Sequence, residues 1–171
     1  MNKGLLIVGA GIYGVVAMEI ASNMGVYDRI DFVDDTRTIA PNGKKVIGTI
    51  DCIKELSCKY QDAVVAIGNS EIRMSLIKRL MDETNLDIVS LVSPRAYVSP
   101  SACLMRGCIV EPMAVINSKC IISDGCIISA GAVLNHESLC GECAHIDCGA
   151  TVAAGAIVPK GTKVCYGEVF K

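Results

Sequence analysis

Residues Ile109 to Leu134 read IVEPMAVINSKCIISDGCIISAGAVL, and an aliphatic side chain returns at every sixth place: Val110, Ile116, Ile122, Ile128, Leu134. Outward from this stretch the series continues without a slip. It runs back through Leu104, Val98 and Val92 and forward through Cys140, Ile146, Val152, Val158 and Val164. Four residues after these come small ones: Ala96, Ala102, Cys108, Ala114, Cys120, Cys126, Ala132, Ser138, Ala144, Ala150, Ala156 and Thr162. Glycine often precedes the small residue, at Gly107, Gly125, Gly131, Gly149, Gly155 and Gly161. A period of six fits neither the helical period nor plain strand alternation. It is the signature of a solenoid of short parallel strands, in which three hexads close a triangular coil of about 18 residues.

The residue types follow from that geometry. The aliphatic side chain points into the prism, the small one fits near a corner, and glycine relieves a left-handed turn. Residues 18 apart should stack, roughly 4.8 Å from coil to coil. Val92, Val110, Ile128, Ile146 and Val164 then form one column, and Cys108 stacks on Cys126 in another. About four coils are expected from residue 92 to the end.

Composition excludes several classes. With 171 residues the chain suits one ordinary domain or two small ones. A net charge of −2 leaves no basic field for nucleic acid or an anionic membrane. Ten cysteines would suggest disulfides in a small secreted chain. Here Cys108, Cys120, Cys126 and Cys140 fill repeat slots that want a small or apolar side chain, so reduced packing thiols are expected. Cys140, Cys143, His145 and Cys148 resemble a zinc spacing. On the solenoid they fall in different slots of the hexad, and no metal is expected.

The first 91 residues are read as a separate Rossmann-like α/β half-unit, with residues 92–171 as the β-helix. Gly4 to Met18 is uncharged but too short to span a bilayer. It reads as strand, turn and helix, which leaves a soluble, cytoplasmic protein without a membrane partner. Leu5–Val8 is a buried strand, Val15–Met24 a helix with Val16, Ile20 and Met24 on one face, and Ile30–Asp35 a second strand. Ala63–Ile67 is a third strand, followed by Gly68-Asn69 and a helix carrying Ile72, Leu76, Ile77 and Leu80. Ile88–Val92 is a last strand leading into the first coil. The turn Gly9-Ala-Gly11-Ile-Tyr-Gly14, with Asp34 about 20 residues on, matches the dinucleotide fingerprint. The second half of a dinucleotide fold is replaced by hexads, so a nucleotide-sugar site is favoured over a redox cofactor. The same glycines could instead serve only tight strand–helix packing.

A glycine-rich α/β unit followed by hexads resembles the sialic acid O-acyltransferase family, and within it the bacterial UDP-4-amino-sugar N-acetyltransferases of the bacillosamine type. The carrying segments are Gly9–Gly14, Asn23-Met24-Gly25, Phe32-Val-Asp34-Asp35, Ala66–Arg73, Val115-Ile-Asn117, and Asn135-His136-Glu137 followed by His145. The resemblance implies a left-handed β-helix with His136 as general base and Glu137 as its acidic support. It implies His145 and Ala154 on the acetyl-CoA side. It implies Gly11, Tyr13, Gly14, Asp34, Asp35, Gly68 and Asn69 around the UDP-amino-sugar, and a homotrimer with active sites between subunits. Tyr13 stands where the family usually has histidine, and the hexads stop sooner than is usual there.

The chemistry also stands without the family. The two histidines both lie in one stretch of the solenoid. His136 occupies a slot that is neither the aliphatic nor the small one, so it should face outward. Imidazole is the side chain suited to accept a proton at neutral pH, and a neighbouring carboxylate orients it. Its partner would be an amine or hydroxyl attacking the thioester carbon of acetyl-CoA. Alternatives are O-acetylation of a sialic acid or serine hydroxyl, and a non-catalytic hexapeptide scaffold. A metal-dependent hydratase of the hexapeptide kind would need three histidine ligands.

Overall fold

The apolar run near the N-terminus forms β1 (Gly4–Val8), every residue of it buried. Flanking it on one side are β2 (Arg29–Val33) and β3 (Val46–Gly48), on the other β4 (Asp62–Val65) and β5 (Asp87–Ile88). The sheet order is β3-β2-β1-β4-β5 and all pairs are parallel. Burial on both faces explains why β1 is continuously apolar rather than alternating. Three helices connect the strands: α1 (Ile12–Met24), the short α2 (Ile53–Leu56) and α3 (Ser70–Glu83). The computed structural model describes residues 3–171. Its chain divides into two compact units, the first ending at Val89 and the second opening at Ser90.

The helices depart from expectation in detail. α1 starts at Ile12 and buries Gly14, Ala17, Ile20 and Ala21, so its inner face is set by small residues rather than by Val16 and Met24. On α3 the buried set is Arg73, Leu76, Ile77 and Leu80, while Ile72 is half exposed. The expected strand over Ile88–Val92 is broken in two, Asp87–Ile88 in the first sheet and Leu91–Val92 in the solenoid. Ser90 makes the break: its hydroxyl donates to the Met105 carbonyl at 2.6 Å and accepts the Cys108 N–H at 2.9 Å. Both partners lie in the solenoid, so the chain leaves the first sheet one residue earlier.

The second unit is a left-handed parallel β-helix of fourteen two-residue strands, from Leu91–Val92 to Val169–Phe170. They form three parallel walls of five, four and five strands. Pairing is in register at a spacing of 18 throughout, as in Val92↔Val110, Val110↔Ile128, Ile128↔Ile146 and Ile146↔Val164. The aliphatic column predicted from the hexads is therefore present. Its members Val110, Ile128, Ile146 and Val164 are almost fully buried, and Val92 packs partly buried against them. Each large aliphatic side chain so placed contributes roughly 1.5–3 kcal/mol.

The corners explain the glycines. A left-handed φ recurs every six residues, at Gly107, Gly125, Gly131, Gly149, Gly155, Gly161 and Gly167, and between them at Met113, Lys119, Glu137 and Cys143. Glycine takes this conformation without steric cost, whereas the other four residues pay for it. The cysteines also have a specific use. Cys108, Cys120 and Cys126 each donate a thiol hydrogen to the carbonyl fifteen residues on, at Ser123, Asn135 and Gly141, over 3.0–3.2 Å. A thiol thus fills the small slot and adds a hydrogen bond to a corner carbonyl that alanine could not make.

Candidate active site

In the first unit the fold brings the loops after β1, β2 and β4 to one edge of the sheet. This is the carboxyl edge of a parallel sheet, where the strand order reverses and nucleotides bind in open α/β folds. Gly9 has φ +107°, and a Cβ there would meet the Ala66 carbonyl oxygen at 2.9 Å. Gly14 is buried in α1, and a Cβ on it would stand 2.1 Å from the Gly9 carbonyl oxygen. These two glycines are demanded by packing. Gly11 and Gly68 differ: a Cβ on either would meet nothing within 4 Å. Neither φ falls in the left-handed region, so their lack of a side chain leaves open space at the loop tips.

Asp34 fastens this edge together. One carboxylate oxygen accepts the Ala10 N–H at 2.8 Å, and the other accepts the Thr36 N–H, the Thr36 hydroxyl and the Arg37 N–H. Burial pushes the carboxyl up, but these donors outweigh it and hold its pKa below the ordinary value. Asp35 is exposed, and its carboxylate accepts the Ile50 N–H at 2.8 Å. Asp34 and Asp35 line an open cleft with Thr36, Arg37, Thr38 and Thr49. Asn69 caps α3 by accepting the Ile72 N–H at 3.0 Å. Tyr13, the second residue of α1, is half-buried.

Sequence reasoning singled out Arg73 only as part of a motif. It is fully buried, and its guanidinium donates to the carbonyls of Ile67 at 2.6 Å and Gly68 at 2.9 Å. The loop that carries Gly68 and Asn69 is thereby pinned from beneath by a buried cation.

In the second unit His136 and Glu137 form the corner after the strand Val133–Leu134. The His136 side chain is 63 % exposed, as its slot predicts, and its Nδ1 lies 3.4 Å from Glu137 Oε2. That is long for a formed hydrogen bond, and such pairs tighten when substrate binds. With Nδ1 turned to the carboxylate, Nε2 is the nitrogen left to take a proton. The His136 carbonyl accepts the Gly155 N–H at 3.1 Å, which fixes the corner to the next coil. Ala154 stands exposed one coil above His136, by the register Leu134↔Val152. One coil below, Lys119 reaches Glu137 Oε1 at 3.7 Å.

His145 opens the strand His145–Ile146 in a different wall from that corner. Its Nε2 is 3.1 Å from the Ser129 hydroxyl and 3.9 Å from Asp147 Oδ1. Neither Lys119 nor Asp147 was foreseen, although counting in eighteens from Glu137 finds the first and a step of two along the chain from His145 finds the second. Of the cysteines near His145, Cys140 and Cys143 are buried and Cys148 is exposed. Among the described residues no group of three or more His, Cys, Asp and Glu is placed to hold a metal ion. No described helix is long and apolar enough to cross a membrane.

Residues 4–80 match the PglD N-terminal domain family. No curated protein sequence matches the chain significantly. Among solved structures, the acetyltransferase domain of PglB from Neisseria gonorrhoeae is similar with 31% identity, 99% of this chain and 92% of that one covered, and a TM-score of 0.88. The same domain in complex with acetyl coenzyme A gives 29% identity, 96% coverage of both chains and a TM-score of 0.77. A mutant of GDP-perosamine N-acetyltransferase from Caulobacter crescentus, in complex with CoA and GDP-perosamine, gives 25% identity, 99% and 92% coverage and a TM-score of 0.70. The chain belongs to the family of the PglB acetyltransferase domain, with the PglD N-terminal domain as its first unit.

Proposed function

We propose that this protein is an acetyl-CoA-dependent sugar N-acetyltransferase that acylates the amine of a nucleotide-linked amino sugar, a UDP-4-amino-sugar in the first instance. The observation that carries the reading is the exposed His136 imidazole beside the Glu137 carboxylate on a β-helix corner. The solved relatives that hold acetyl coenzyme A, or CoA with GDP-perosamine, support the class of both substrates. In this reading Gly11, Asp35, Gly68 and Asn69 border the nucleotide. Tyr13 lies on the sugar side, and Asp34 and Gly14 shape the loop. His145 and Ala154 serve acetyl-CoA.

The reaction asks little of the protein beyond a base and a polarised carbonyl. The sugar amine attacks the thioester carbon, His136 Nε2 takes the amine proton, and the Glu137 carboxylate steadies the imidazolium that forms. The tetrahedral intermediate then collapses with cleavage of the carbon–sulfur bond, and the His136 imidazolium returns its proton to the departing CoA sulfur, which leaves as the thiol. A homotrimer in the cytoplasm completes the proposal.

Incubation with acetyl-CoA and a panel of UDP- and GDP-linked amino sugars, read by mass spectrometry, tests it. The expected result is a gain of one acetyl on a 4-amino sugar, reduced by a factor of about 10² or more in His136→Ala while the fold is retained. Normal turnover by that variant would remove His136 as base. Acetylation only of a free sialic acid or serine would replace the acceptor.

A further inference from the structure

The surroundings of His145 hold more charge than its place in the wall requires. In the same column the two coils below carry Ile109 and Ile127, and the coil above carries Lys163. The imidazole is 16 % exposed, and the side chain of Asp147 is 3 % exposed. A carboxylate is kept in such a place only where its partners repay the loss of water. Both oxygens of Asp147 are taken. Oδ1 accepts the Cys148 N–H at 2.9 Å and faces His145 Nε2, while Oδ2 lies 2.8 Å from the Lys163 ammonium. Ser129, whose hydroxyl meets the same ring nitrogen at 3.1 Å, is itself 3 % exposed. Charged groups therefore face the ring from its own turn, Asp147, and from the coil above, Lys163. The coil below presents Ile127 and the Ser129 hydroxyl.

We propose that Asp147 is a positioning residue for His145. Anchored by Lys163 on one oxygen, it sets the other 3.9 Å from an imidazole seated on the Ser129 hydroxyl and by its charge favours the protonated ring, so that the ring offers an N–H to the acyl oxygen of acetyl-CoA. The proposal rests on the acetyltransferase reading for its last step only. Burial pushes the Asp147 carboxyl up, but Lys163, the Cys148 N–H and His145 outweigh it, so the group is ionised and able to act in this way. Electrostatic stabilisation of a developing oxyanion needs a donor fixed in advance, which a ring clamped on one edge provides.

The test uses the full chain labelled with ¹⁵N-histidine, whose two imidazoles give two separate sets of ring signals. In Asp147→Asn the His145 titration midpoint should fall, because the carboxylate is lost and the Lys163 ammonium is left uncompensated. In Lys163→Met it should rise. The His136 signals should stay in place in both. The kcat for acetyl transfer should drop about tenfold in Asp147→Asn, with the KM for the nucleotide sugar unchanged. Unmoved His145 midpoints in both variants would overturn the proposal, as would a shifted midpoint with unchanged kcat. If Asp147→Asn does not fold, the Lys163→Met titration decides alone. A wild-type protein that transfers no acetyl group to any acceptor would defeat the functional reading, while the titrations would still decide the coupling of Asp147 to His145.

Discussion

Lys119 and Glu137 occupy the same corner one coil apart, both with a left-handed backbone, and their charges meet at 3.7 Å. Glycine fills this slot at seven other corners. A carboxylate kept there bears a conformational cost that glycine would remove. Four corners, at Met113, Lys119, Glu137 and Cys143, keep this strain, and at Glu137 the side chain retained is the carboxylate beside His136.

Glu137→Gly should therefore stabilise the protein and impair it at once. Relief of the left-handed backbone is worth about 1 kcal/mol. Removing the carboxylate beside His136 lowers the rate of acetyl transfer. Thermal melting and a product assay on the same preparation check both halves. A variant that melts earlier than wild type would show that the corner carries no strain.

The glycines of the first loop should separate by function. Gly14→Ala places a Cβ 2.1 Å from the Gly9 carbonyl oxygen, so the first unit should lose stability by several kcal/mol. Gly11→Ala meets open space and should melt like wild type while weakening nucleotide binding. Calorimetry with UDP, set beside a melting curve, distinguishes the two. Equal melting temperatures for both variants would contradict the packing argument.

Asp34 predicts a pH dependence. Its folded pKa lies below the ordinary value of 3.8, so the unfolded chain binds the proton more readily than the folded one. The stabilisation is complete above the unfolded value and is lost as the pH falls through the folded one. Urea midpoints of wild type and Asp34→Asn should differ by a constant amount at neutral pH and converge below about pH 4. A gap that persists unchanged into acid would assign the effect to packing rather than charge.

The core thiols should be inert. Burial pushes Cys140 up to about 12, so little thiolate forms at neutral pH. Cys108, Cys120 and Cys126 are buried beside it, whereas Cys58, Cys103, Cys148 and Cys165 are exposed within the chain. Iodoacetamide followed by peptide mass spectrometry should leave the four core cysteines unmodified until the protein is unfolded. Prompt labelling of Cys140 in the native state would contradict the packed prism.

The solenoid was legible because its physics is local and repeated. One aliphatic residue in six must point inward, and a register of 18 follows from three walls. The first unit was legible where burial on both sheet faces wrote a continuous apolar run, as in β1. It was less so where a single polar side chain decides the path. Ser90 ends a strand that its apolar neighbours would continue, and Arg73 enters the core of α3 where Ile72 had been expected. Both act through hydrogen bonds to carbonyls distant in sequence or around a turn, which no periodicity records. Of the candidate site, His136 and its exposure came from the slot it occupies. Asp147 did not, because Lys163, its ion-pair partner, and Ser129, which meets the His145 imidazole, come beside it only once the coils are stacked.

The unbroken register of 18 also sets a rule for how such a chain can change in length. Removing six residues from within the repeat would turn every later strand onto the next wall. Lys119 would then no longer stand under Glu137, nor Lys163 over His145, although each hexad would still bury its own aliphatic residue. Removing eighteen restores every facing pair outside the excised coil. The prism thus tolerates gain and loss by whole coils, and a chemistry spread over consecutive coils is carried or abolished as a unit.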